Sequence, residues 1–149
     1  MDIISAIQMI KEKFITSGGE AEIPKMKGGY FKAKLVEGGI EVDNLGSSPF
    51  LPWAVFQEAI CLLIRNNGHA ARGDAMTVKL GGPGLETDTI EGHIAQVVYG
   101  KCIGDSVFRR ITPIACVLVW AELCEYQRGG LILKDTTKNQ FNNRISGRA

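Results

Sequence analysis

Apolar residues near the start fall at Ile3, Ile7, Ile10 and Phe14, spacings of four, three and four that line one helical face. Lys11, Glu12 and Lys13 lie off that face, and Ser17-Gly18-Gly19 supplies a glycine stop. The period then changes. Tyr30, Lys32 and Lys34 alternate with Phe31, Ala33 and Leu35, the two-residue repeat of a half-buried strand. Beyond Glu37-Gly38-Gly39 the alternation resumes in Ile40-Glu41-Val42-Asp43, so the pair predicts a β-hairpin. Residues 44–50 are a Gly, Ser and Pro connection, the expected boundary between an N-terminal lobe (1–50) and a second domain (51–134).

Leu51-Pro52-Trp53 opens a second helix, with Trp53, Phe56, Ile60, Leu63 and Ile64 as its stripe and Asn66-Asn67-Gly68 as its stop. Residues 69–86 are irregular and Gly-rich, with a short strand expected at 76–80. A connection of that length is usually functional or mobile. Asp88-Thr89-Ile90-Glu91 has the form of a capping box, and the helix it opens carries Ile90, Ile94, Val97 and Val98 before stopping at Tyr99-Gly100. Thr112-Pro113 predicts the start of a last helix. The segment from there to Leu123 is almost wholly apolar and must be covered on most sides. Short β-type runs on either side of Arg128-Gly129-Gly130 predict a second hairpin. From Asp135 the chain is polar and lacks an apolar face (Lys138, Asn139, Gln140, Asn142, Asn143, Arg144, Arg148), which predicts a disordered tail over 135–149.

The predicted class is α+β: an N-terminal helix plus β-hairpin, followed by a winged-helix-like three-helix unit with a C-terminal β-hairpin wing. Three stretches carry a resemblance: Arg109-Arg110-Ile111, then Leu118-x-Trp120-Ala121-x-Leu123, then Arg128-Gly129-Gly130. On them the C-terminal half resembles the winged-helix DNA-binding domains of restriction-associated and regulatory proteins. That resemblance implies a recognition helix in the major groove and a wing on the backbone or minor groove. The last helix departs from the pattern. Base reading needs outward polar side chains, yet between Pro113 and Leu123 only Glu122 is charged. This helix is therefore expected to be buried, in its own chain or against a second subunit. Contacts with duplex DNA then fall to Arg109 and Arg110 at the helix start and to Gln127 and Arg128 in the wing. Lys101 and Lys134 would add phosphate charge. The function expected is non-catalytic duplex-DNA binding, regulatory or accessory to a DNA-modifying system. The competing expectation is an assembly module that forms a homo-oligomer through its apolar last helix.

Composition changes this picture little. With 149 residues, 45% hydrophobic and 22% charged, the chain is globular in character. No apolar run approaches the roughly 20 residues that span a bilayer, so no membrane partner is expected. Asp2 stands where an export signal would be positive, and the four cysteines form no C-x-x-C pair. Reduced thiols and a cytoplasmic location are expected. Net charge is +1, but residues 100–149 hold eight Lys/Arg against four Asp/Glu. That excess suits an anionic partner.

Other candidate chemistry is thinner. Lys25, Lys27, Tyr30, Phe31, Lys32 and Lys34 interleave basic and aromatic residues, a pattern that can follow a nucleic-acid strand. A sheet with one core face and one solvated face meets the same pattern and is the expected reading. Gly81-Gly82-Pro83-Gly84 lacks the Lys-Ser/Thr of a phosphate loop. His69 and His93 with Asp74, Asp88 and Glu91 show no metal-ligand spacing. Ser106 and Cys61 lack the surroundings of a nucleophile, and His93 is expected on a helix surface or at a cap. No catalytic residue, metal or other cofactor is expected.

Overall fold

The computed structural model describes residues 2–134, which form an α+β protein of four helices and two antiparallel sheets. The expected disordered tail lies outside the described residues. Helix α1 (Ile3–Thr16) starts where Asp2 accepts the Ser5 N–H at 2.7 Å. It buries Ala6, Ile7, Ile10 and Phe14, the face its spacing predicts. Gly19, at φ 88°, donates to the Phe14 carbonyl and ends it.

The predicted hairpin, β2 (Tyr30–Val36) and β3 (Gly39–Val42), is the centre of a four-stranded sheet. Strand β1 (Glu20–Pro24) precedes it and β4 (Phe50–Pro52) follows. Glu20 and Glu22 make β1 a poor strand by propensity, but its register sets them opposite Lys34 and Lys32. Strand β4 carries Pro52, which an edge strand tolerates because no ladder bond is required of its nitrogen. Residues 43–49 thus connect two strands of one sheet. Strand β4 leads directly into α2 (Trp53–Arg65), which buries Phe56, Ile60 and Leu63 as predicted, and Val55, Ala59 and Leu62 besides.

The remainder runs β5 (His69–Ala71), α3 (Ile90–Val97), α4 (Ile111–Trp120), β6 (Cys124–Gln127) and β7 (Gly130–Leu133). The second sheet has the order β5-β7-β6, so β5 pairs with the last of these strands. The strand expected at 76–80 does not form. Instead residues 72–89 fold as a loop around the buried Leu80 and Leu85. That loop is tied to the connector after α3, with Leu80 N–H bonded to Asp105 O and Gly104 N–H to Leu80 O. It is an anchored segment rather than a free lid.

Helix α4 is buried at Ile111 and at every position from Pro113 to Leu118. Its cover comes from its own chain: β1, α2 and β6 pack on it. At its C-terminal end Trp120 packs against Phe14 with the rings tilted by 57° and their centroids 4.8 Å apart, while the Lys13 ammonium donates to the Trp120 carbonyl. The helix stops before the expected Leu123 because Glu122 turns left-handed at φ 64°, which lets Leu123 N–H bond Leu118 O. One buried cluster therefore draws on both halves of the chain, from Phe14 and Ile23 to Ile114 and Leu131.

Gly130 is where the second sheet closes. A Cβ at this position would lie 2.3 Å from the Ala70 carbonyl oxygen, so only glycine lets β5 approach β7. Gly130→Ala is expected to cost about 2–3 kcal/mol, the upper part of the usual range for overpacking. Gly129→Ala, in open space at φ 70°, should cost about 1 kcal/mol. Urea unfolding of both variants measures this, and equal losses would mean that β5 can yield.

Candidate nucleic-acid interface

Where four segments meet there is a cleft of about 560 Å³. The β1–β2 turn supplies Lys25, Met26, Lys27 and Gly28, and the stretch after β5 supplies Arg72, Gly73 and Asp74. Helix α4 presents Ile111, Thr112, Ala115 and Cys116, with Arg109 just before it, and Tyr126 and Gly129 come from the β6–β7 hairpin. Lys25, Lys27, Arg72 and Arg109 line this space together with Asp74 and Glu86. Cations are therefore in excess, and Lys25, Lys27 and Arg109 are exposed.

Each segment has a local reason for its place. The β1–β2 turn closes with Lys25 N–H bonded to Gly29 O at 2.9 Å. Arg72 follows β5 and braces the second hairpin: its N–H donates to Gly129 O, and its guanidinium to Gly130 O at 3.0 Å and Gln127 O at 3.4 Å. Tyr126 fills the wall between, its hydroxyl donating to the Cys116 sulfur at 3.2 Å.

The start of α4 is fixed from another helix. Glu91, 1% exposed, reaches from α3 and accepts from Ile111 N–H at 2.7 Å and from Arg110 N–H at 3.0 and 3.2 Å. The expected capping box is thus corrected. Thr89, rather than Asp88, caps α3 by accepting from Gly92 N–H, and Glu91 caps the following helix instead of its own. Thr112, expected as the cap of α4, lies inside its first turn, where Pro113 is also tolerated. Burial pushes the Glu91 carboxyl up to about 7, and the Ile111 and Arg110 N–H groups, with the charges of Arg110 and Arg109, only partly counter it.

The predicted contacts separate into three groups. Arg109 is exposed and lines the cleft, and Gln127 and Arg128 are exposed in the turn whose Gly129 also lines it. Arg110 is held in an aromatic pair, its guanidinium 3.8 Å from the Tyr99 ring centroid and 4.7 Å from that of Phe108. Lys101, in the turn after α3, and the half-buried Lys134, just after β7, do not line the cleft. Arg72 escaped the sequence reading because only the long-range β5–β7 pairing brings it to the hairpin. Lys25 and Lys27 had a signal, as basic residues before the first hairpin.

The rest of that basic and aromatic stretch does not form a phosphate-following surface. Phe31 is buried, and Lys32 and Lys34 share a concave sheet face with Glu20, Glu22, Glu41 and Asp43. Lys34 pairs with Glu41 at 3.7 Å. His93 is not a surface or capping histidine: it is buried, its Nε2 3.0 Å from Glu58 on α2. Cys61, Cys102, Cys116 and Cys124 are free thiols, and burial pushes Cys124 up to about 12. Among the described residues no group of three or more His, Cys, Asp or Glu is placed to hold a metal ion. No helix there is long and apolar enough to cross a membrane. No family model, curated protein or solved structure matches the chain.

The Glu91 cap has a measurable consequence. Its folded pKa lies above the ordinary 4.5, so the folded state holds the proton more tightly than the unfolded chain does. Stability should therefore fall as pH rises from about 4.5 to about 7, by on the order of 3 kcal/mol, and be flat in this group outside that window. Urea titrations across this range, with Glu91→Gln alongside, isolate the effect. The variant should lose that part of the slope, and an unchanged slope would assign it to other groups.

Proposed function

We propose that this protein binds duplex DNA without catalysis, holding the phosphate backbone at the rim of the cleft. The carrying observation is a cationic cleft lined by Arg109 and Arg72, beside the β6–β7 turn whose Gly129 lines it and whose Gln127 and Arg128 are exposed. The chain order supports the winged-helix resemblance: helix α2, strand β5, helices α3 and α4, then a hairpin whose second strand pairs with β5. In that reading β6–β7 is the wing and α4 stands where the recognition helix would be. With β1 packed over α4, base reading by that helix is closed off, and binding rests on phosphate charge. A regulatory or accessory role in the cytoplasm, where free thiols stay reduced, fits such weakly discriminating contacts. Pairing of subunits through α4 is less well supported, because its apolar residues are already covered within the chain.

Fluorescence anisotropy with a random-sequence duplex at low and moderate salt tests this. Affinity should fall steeply with salt and differ little between sequences. Arg109→Ala with Arg128→Ala should reduce the slope of log affinity against log salt by about two, since each neutralised phosphate contributes about 0.9. No binding even at low salt would end the proposal.

A further inference from the structure

Lys25 and Lys27 belong to neither the α4 start nor the β6–β7 hairpin. They sit in the β1–β2 turn of the other sheet, exposed to solvent, on the same cleft as Arg109. Neither side chain is in an ion pair among the described residues. The lysines of the neighbouring strand behave differently. Lys32 and Lys34 stand opposite Glu22 and Glu20 in the ladder, and Lys34 also faces Glu41. Of these four lysines Lys34 is in an ion pair, with Glu41 at 3.7 Å, and Lys32 has a glutamate opposite it in the ladder, whereas the turn lysines have neither. Strand register determines which lysines have acids opposite them, since side chains alternate faces along β2 while the turn lies beyond the last ladder pair, Pro24 with Tyr30.

The β1–β2 turn also has a defined place. Strand β1 packs on α4, so the turn at its end is carried by the helix that leads from Arg109. Its backbone bonds, Lys25 N–H to Gly29 O and Gly28 N–H to Lys25 O, hold it as a compact tip rather than an open loop. Phosphates bound by Arg109 and the hairpin would therefore meet two further cations on the same cleft.

We infer that the β1–β2 turn is a second jaw of the DNA-binding cleft, with Lys25 and Lys27 contacting phosphates of the same duplex that Arg109 and Arg128 hold. The inference rests on the duplex-binding reading above and adds to it the N-terminal sheet as part of the interface. Four cations from three segments, the β1–β2 turn, the start of α4 and the β6–β7 turn, then share the backbone.

The test compares Lys25→Ala/Lys27→Ala with Lys32→Ala/Lys34→Ala, which removes the same charge from the same lobe. Anisotropy titrations of the full chain use the random-sequence duplex over a salt series, with thermal unfolding as a check on folding. The turn variant should unfold like the unmodified protein and lose about two from the salt slope, while the strand variant should keep its slope. Equal losses in both variants would reduce the effect to net charge and overturn the second jaw. An unchanged slope in the turn variant, with the unmodified protein still binding, would overturn it and leave the first reading standing. Absence of binding by the unmodified protein would remove both.

Discussion

The buried carboxylate of Glu91 decides how the second half of this chain can be arranged. It sits on the first turn of α3 yet accepts the leading N–H groups of α4, so two helices separated by a long connector are fixed at one point. A carboxylate in so dry a place is costly, and its pKa of about 7 records that cost. Charge-assisted bonds to two backbone donors offset part of it, and they also occupy the positive end of the helix that an external anion would otherwise find. Arg110, whose N–H is one of those donors, lays its guanidinium on Tyr99 and Phe108 in the same junction. Arg109, one residue earlier, is left outside the knot. Two adjacent arginines therefore have opposite duties, one building the junction and one facing solvent.

Covering of α4 is the second constraint. Its segment is too apolar to stand against water, and β1 supplies the missing wall. A helix used in this way cannot also offer a polar face to a groove. In the proposed binding mode the contacts fall to what surrounds α4: its first residues, the turn of the sheet that covers it, and the hairpin braced by Arg72.

Periodicity made α1 and α2 legible, because each has a core face long enough to repeat, but α3 departs from its expected face: Val97 is exposed while Glu91 and His93 are buried. The face of α1 was readable in full, and the burial of α4 followed from its lack of polar residues. Three strands were hidden for separate reasons. Glutamates in β1 find lysines opposite them only through the β1–β2 register, Pro52 in β4 is allowed only at an edge, and His69-Ala70-Ala71 in β5 becomes a strand only through β7. Glu91 was legible as a capping residue, but which helix it caps depends on partners 19 and 20 residues away. Of the proposed DNA-facing residues, Arg109, Gln127 and Arg128 were readable from their place beside a helix start and a glycine turn. Arg72 was not, since no local pattern foretells which carbonyls it will brace.

Net charge is a poor guide to a chain of this kind. A total of +1 conceals a sheet face where acids and lysines interleave and a cleft where cations prevail. Screening limits an exposed charge to a reach of about 10 Å in ordinary salt, so a partner responds to the charges beside it and not to the sum. Register creates the difference, because it places Glu20 and Glu22 against Lys34 and Lys32 and leaves the turn beyond them without acids of its own. A shift of β1 by one residue would turn those glutamates toward the core, so the same pairing that builds the fold also sets acids opposite the sheet lysines and leaves the turn lysines on the cleft without them.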